Sequence, residues 1–193
     1  RSKSWSEDQM VHFYMEFSEP VAEYRHFGEK GALVTFAPGT GQVTVKVGIS
    51  SVSSENAREN LLSDVPEDSF DFDARRAETE ELWERYLSKI DVRGENGRGD
   101  RERLRTFYTA LYHTAIAPNI FSDVNGEYRG MDRQIHRAEG FDRYTVFSLW
   151  DTFRTLHPLL TLIERERTED FLRTFLTIYR EGGKLPVWEL SGW

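Results

Sequence analysis

Apolar and polar residues alternate along the first fifty positions of the chain. In QVTVKV, Val43, Val45 and Val47 alternate with Gln42, Thr44 and Lys46, the period of a strand covered on one face. VHFYMEFSEP, ALVTF and QVTVKVGIS read as three strands, the last two joined by an APGTGQ turn. Past Ser53 the spacing lengthens to that of helices. SSENARENLL opens on serines suited to capping and predicts a short helix closed by Pro66. DSFDFDARRAETEELWERYLSKI then sets Leu82, Trp83, Tyr86, Leu87 and Ile90 on one helical stripe. Gly94, Gly97 and Gly99 of RGENGRGD mark a flexible loop. After it Leu104, Phe107, Tyr108, Leu111 and Ala115 form a second stripe that stops before Pro118. In FSDVNGEYRGMD the tight-turn dipeptide Asn125-Gly126 predicts a short hairpin or an ordered loop.

Two more helices close the sequence. One runs from about Leu149 to Ile163 and carries Trp150, Phe153, Leu156, Leu160 and Ile163, with Pro158 expected to kink or split it near His157. The other starts at a Thr168 cap, sets Phe171, Leu172, Phe175, Leu176 and Tyr179 on one side, and ends at Gly182-Gly183. A connection of about four residues predicts that the two pack as an antiparallel pair. The class is therefore α+β and multidomain: the end of a β domain, a helical linker, and the opening helices of an all-α domain. Three strands with one apolar face need a second layer. KLPVWELSGW ends the sequence on an apolar-rich loop. Both features predict that the chain belongs to a longer polypeptide.

Composition narrows the function. The 193 residues, 38% of them hydrophobic, suffice for one sizeable domain or two partial ones. Twenty-five Lys and Arg against 33 Asp and Glu give a net charge of -8, which repels phosphate backbones and argues against nucleic acid as a partner. The absence of cysteine removes disulfides, thiolate metal sites and thiol nucleophiles. The longest apolar run, around Leu156 to Ile163, is interrupted by His157 and Pro158 and falls well short of the roughly 20 residues that span a bilayer. RSKSWSEDQM lacks the apolar core of a signal peptide.

Several residues are candidates for chemistry. Ser148-x-x-Asp151 has the form of a capping box, in which the carboxylate would start a helix. The same carboxylate beside the indole of Trp150 also suits a sugar, whose C–H faces pack on aromatic rings and whose hydroxyls donate to carboxylates. Arg154, three residues on, could pair with Asp151. His12, His26, His113, His136 and His157 form no HxH or HExxH spacing, which argues against zinc; His113 and His157 are the two that could reach a pocket. PEDSFDFD lacks the glycine and terminal glutamate of a calcium loop. Asp123, Glu127 and Asp132 surround a turn that hairpin chemistry explains without a metal. Glu189 beside Trp188 could serve as an acid with a raised pKa, but glycoside hydrolysis needs a second carboxylate and none is identified for it.

Taken together, QVTVKVGISSVSSENARENL, RTFYTALYHTAIAPNIFSDVNGEYRGMD, YTVFSLWDTFRTLHPLLTLI and YREGGKLPVWEL resemble the exo-acting α-mannosidases of glycoside hydrolase family 92, from about Trp5 to Trp193. The resemblance implies that residues 1–52 end an N-terminal β-sandwich, 53–96 form a helical linker, and 97–193 start an (α/α)6 barrel, with the active site between the domains. It implies calcium-dependent, inverting hydrolysis of terminal α-linked mannose, α-1,2 linkages of N-glycans or mannan foremost, by a secreted or periplasmic protein. Its partners would be mannose-containing glycans and the rest of the same polypeptide. The family's glutamate-glycine-asparagine acid motif and aspartate-rich base motif do not occur in these residues. The catalytic carboxylates and most or all calcium ligands are thus expected downstream, and the 193 residues alone are expected to be inactive. What does match is the SLWD block at Trp150 and Asp151, whose aspartate is expected to bind mannose at the nonreducing subsite. Two alternatives stay open: a non-catalytic carbohydrate-binding protein of the same architecture, and an (α/α)-barrel glycosidase of other sugar specificity.

Overall fold

The structure, a computed structural model, describes residues 8–28, 31–94 and 98–190, the side chains of 98 and 99 excepted. Four strands come first: β1 (His12–Phe17), β2 (Val21–Phe27), β3 (Gly31–Phe36) and β4 (Val45–Ser50). They pair antiparallel as β1 with β4, His12 opposite Ser50, and β2 with β3, Tyr24 opposite Val34. The strand beyond the three expected is VAEYRHF. Every residue of it is exposed, so its sequence carries no alternation to read.

The alternation in β4 is present, and its polar positions are the covered ones. Lys46, Gly48 and Ser50 are buried, while Val45, Val47 and Ile49 are exposed. The reason is helix α1 (Ser54–Asp64), which lies on the polar face of the strand so closely that a Cβ on Gly48 would stand 2.0 Å from the Ala57 carbonyl oxygen. Lys46 can be buried there because its ammonium group meets Glu16 at 2.7 Å and donates to the Pro66 and Glu67 carbonyls. As expected, α1 is capped by serine: Ser53 Oγ accepts from the Asn56 amide at 3.0 Å. The helix stops at Val65, before the proline.

Helices α2 (Phe72–Leu87) and α3 (Arg98–His113) follow, α2 capped by Asp71 through the Ala74 amide. Trp83 packs on Tyr112, and Tyr86 shares a 2.9 Å hydrogen bond with Thr114. Gly97 lies outside the described residues, and Gly99 falls within α3 and not in a loop.

Short strands then link the helical parts: β5 (Asn119–Ile120), β6 (Glu127–Arg129), β7 (Ile135–Arg137), β8 (Tyr144–Thr145), β9 (Phe147–Ser148) and, near the end, β10 (Trp188–Glu189). The hairpin is β6 with β7, and Asn125-Gly126 forms a tight turn ahead of it, with Gly126 at φ 85° and the Asp123 amide donating to the Glu127 carbonyl. β5 pairs with β8, and β9 with β10.

The long helix expected from Leu149 to Ile163 is two helices, α4 (Leu149–Thr152) and α5 (Leu156–Ile163). The break precedes Pro158 by a turn because the proline ring would strike the carbonyl four residues back, at Arg154. Inside the first turn of α5 its missing N–H is no loss, since that amide has no helical partner there. Helix α6 (Arg165–Gly182) starts before Thr168, whose hydroxyl instead donates to the Glu164 carbonyl within the helix, and only Glu164 separates it from α5. It ends as expected, on Gly183 in the left-handed region at φ 75°. Its apolar residues divide: Phe171 and Ile178 are buried beside Thr174, whereas Leu172, Leu176 and Tyr179 are exposed. Phe171 joins Tyr144, Phe147 and Leu160 in a core on which Leu149, Leu156 and Phe175 pack. The molecule is thus a mixed α+β fold, and this core lies beneath α4.

Candidate functional site

Trp150 and Asp151 stand on α4, immediately after β9. Trp150 is 67% exposed, and Asp151 is exposed beside it. Core packing, the ordinary fate of an indole, is therefore not its role within these residues. The two side chains are joined through Ser148: its hydroxyl accepts from Trp150 Nε1 at 3.1 Å and donates to Asp151 Oδ2 at 2.5 Å. This is not the capping box that the spacing predicts. Ser148 caps no amide, because its hydroxyl is turned to the two side chains. Nor does Arg154 pair with Asp151; its guanidinium lies 5.3 Å from the Phe153 ring centroid. Asp151 Oδ1 has no hydrogen-bond partner among the described residues, so an ordered acceptor stands beside a flat aromatic face. That pairing suits a neutral polyhydroxylated ligand.

What holds the pair in place lies below it. β9 and β10 align Ser148 with Trp188 and Phe147 with Glu189, and the Leu149 amide donates to the Val187 carbonyl at 2.8 Å. Phe147 points into the core, where it meets Phe171 and Phe175 edge-on. Glu189 is 3% exposed. Its oxygens accept from Thr145 Oγ1 at 3.0 and 3.1 Å and from the Val146 amide at 3.1 Å. Burial pushes its pKa above the ordinary range, against the opposing pull of Arg143 and of these hydrogen bonds, with Glu181 adding to the rise. A carboxyl so enclosed, with its oxygens turned to its own chain, is not placed to protonate a glycosidic oxygen. The candidate acid role of Glu189 is thereby corrected.

The remaining candidates are structural. His157 packs between Phe147 and Phe171, half-buried, with its pKa lowered by desolvation. His113 ends α3 beside Tyr112. His136 Nε2 lies 2.9 and 3.0 Å from the oxygens of Asp132 and stacks on Tyr128. The Tyr128 hydroxyl donates to Glu181 at 2.6 Å, and burial, then that carboxylate, push its pKa up to about 12.

Asp123 and Glu127 are taken up by amides. Asp123 accepts from Ser50 Oγ at 2.6 Å, Asn56 Nδ2 at 2.8 Å and Asn60 Nδ2 at 2.7 Å, and Glu127 accepts from Asn56 at 2.9 Å. This network ties β4 and α1 to the β6 turn, and sequence reasoning missed it. Its trace was the Asn56, Asn60 pair one helical turn apart. Among the described residues no group of three or more His, Asp or Glu could hold a metal ion. Two clefts of about 580 and 480 Å³ share residues 120 and 122–124 in their lining, and neither is lined by Trp150 or Asp151. No helix of the described residues is long and apolar enough to cross a membrane.

Comparison with known proteins places these features. The sequence model of the glycosyl hydrolase family 92 catalytic domain matches residues 56–193. A family 92 α-mannosidase from Bacteroides thetaiotaomicron superimposes with a TM-score of 0.86 at 34% identity, over 98% of this chain and 28% of its own. The same enzyme has been solved in complex with mannoimidazole. A family 92 inverting mannosidase from the same bacterium gives a TM-score of 0.79 at 29% identity, over 92% of this chain and 26% of its own. An uncharacterized secreted glycosidase from Arthroderma benhamiae is 29% identical over 87 residues, which are 45% of this chain and 11% of that protein. The chain therefore spans little more than a quarter of the solved enzymes that it resembles.

Proposed function

Because this chain belongs to glycosyl hydrolase family 92, we propose that it forms part of an exo-acting α-mannosidase and supplies Trp150 and Asp151 to the pocket that holds the terminal mannose. The observation that carries the reading is the exposed indole and carboxylate oriented by one serine, in a chain that overlays on a solved α-mannosidase across 98% of its length. In this reading Trp150 packs against the C–H face of the sugar, and Asp151 accepts from its hydroxyls. Both groups bind and orient; neither moves a proton.

Hydrolysis with inversion needs an acid at the leaving oxygen and a base that activates water on the opposite face, with the carboxyls roughly 6.5–9.5 Å apart. No residue of this chain is assigned to either role. The acid and base would come from elsewhere in the polypeptide, as would the ligands of the calcium ion that the family resemblance implies. Residues 1–52 would end a β-sandwich, 53–96 would link, and 97–193 would open an (α/α)6 barrel. The open apolar faces of β4, at Val45, Val47 and Ile49, and of α6, at Leu172 and Leu176, support that architecture, because each needs a covering layer. The secreted relative supports a place outside the cytoplasm.

The test is mannose release from α-1,2-mannobiose by the full-length enzyme, with and without a calcium chelator, the anomer of the first product being read by NMR. The expected result is β-mannose, lost on chelation, with the isolated 193 residues inactive. Failure to release mannose, with cleavage of another sugar from a panel of aryl glycosides, would overturn the proposal.

A further inference from the structure

Glu189 is a buried carboxylate with no part in the proposed chemistry, yet among the described residues the hydrogen bonds of its side chain go to one turn. Thr145 Oγ1 and the Val146 amide donate to it, from the last residue of β8 and the single residue that joins β8 to β9. That turn has an unfavourable shape. Val146 lies at φ 67°, a left-handed conformation that a β-branched residue adopts only where its surroundings impose it. Beyond it the chain enters β9 with Phe147 buried and with Ser148 bonded to both Trp150 and Asp151.

We infer that Glu189 is a positioning residue for sugar binding: its carboxylate clamps the strained Thr145-Val146 turn, and so fixes Ser148 and, through Ser148, the Trp150 indole and the Asp151 carboxylate. The inference rests on the reading of that pair as the mannose subsite. A carboxylate suits the task because it only accepts: Oε2 takes the Val146 amide and the two oxygens share the Thr145 hydroxyl, whereas a glutamine must turn an NH2 towards one of these donors. Stability and positioning also part company here. Burial, with Glu181 adding to it, disfavours the charged form of Glu189 against the pull of Arg143, so charge is the costly part of the clamp, and a neutral isostere avoids that cost.

The experiment uses the full-length enzyme and α-1,2-mannobiose. Glu189→Gln should raise KM about tenfold, equivalent to about 1.4 kcal/mol, with kcat within about twofold and a thermal midpoint no lower than wild type. In a cycle with Asp151→Ala, the KM of the double variant should rise by less than the product of the two single effects, because part of the effect of Glu189 passes through that residue and the rest through Trp150. Should Glu189→Gln fail to fold, Thr145→Val enters the same cycle, with a roughly threefold rise expected. An unchanged KM, a rise that adds in full to that of Asp151→Ala, or a rise that merely follows a lowered midpoint overturns the inference. If Asp151→Ala itself leaves KM unchanged, the mannose-subsite reading falls too; if Asp151→Ala raises KM and Glu189→Gln does not, only the role of Glu189 falls.

Discussion

Replacing Asp123 by asparagine, which keeps every heavy atom in place, should loosen the joint between α1 and the β6 turn. The reason is the direction of each hydrogen bond. Asn60 accepts from the Val124 amide through Oδ1, so its Nδ2 must face Asp123 Oδ1 as a donor. Asn56 accepts from Ser53 Oγ through its own Oδ1, so its Nδ2 must donate to Asp123 Oδ2 and to Glu127. Whichever way an asparagine at 123 is turned, its amide nitrogen meets one of these amide nitrogens, and a donor of either the buried Asn56 or the half-buried Asn60 loses its acceptor. Asp123, Asn56 and Ser50 are all buried, so water does not readily replace the lost partner. A single unsatisfied buried group costs about 1–3 kcal/mol. Hydrogen exchange of the α1 amides in the full-length enzyme reads this locally, and that range corresponds to a roughly 5- to 150-fold loss of protection. Asp123→Ala should be of similar size. Wild-type protection in Asp123→Asn, with protection lost in Asp123→Ala, would refute the reasoning, because it would mean that the site needs only a polar group of the right shape.

Other perturbations probe other parts of the fold. Gly48→Ala would drive a Cβ to 2.0 Å from the Ala57 carbonyl and 2.8 Å from Leu61 Cβ, so α1 must lift from β4; the expected loss is about 1–3 kcal/mol or more, seen as a lower thermal midpoint. Phe171→Ala removes a 2%-exposed ring that meets Tyr144, Phe147 and His157 edge-on; a loss of about 3–5 kcal/mol is expected in denaturant unfolding of the full-length enzyme. His157 has a pKa depressed by burial, so its neutral form contributes stability that is present above the unfolded value of about 6.5 and lost as pH falls through the lower folded value. His157→Phe should therefore shrink the drop in thermal midpoint between neutral and mildly acidic buffer.

How much of this was legible in the sequence depended on whether the deciding contact was local. The Ser53 cap, the stop before Pro66 and the glycine at the end of α6 were read correctly, because each depends on a few neighbouring residues. Which face of β4 is covered within these residues was not legible. Alternation shows that two faces differ, but which face α1 covers depends on Gly48 and on a lysine neutralised by Glu16, thirty positions away in sequence. The four strand blocks were found as three because VAEYRHF has no covered face to leave a mark. At the site, Trp150 and Asp151 were legible as a pair, and the hydroxyl that joins them was assigned to the backbone instead. Glu189 was noticed for its chemistry, whereas its contacts with Thr145 and Val146, more than forty residues earlier, became visible only in the fold.

The central claim is that Asp151 binds mannose, and its affinity for a mannose-configured ligand tests it most directly. Titration calorimetry of mannoimidazole into the full-length enzyme and its Asp151→Asn variant should show Kd weakened at least tenfold, about 1.4 kcal/mol, with the same thermal midpoint. Unchanged affinity with a lowered midpoint would contradict the account and return Asp151 to a purely structural place at the start of α4.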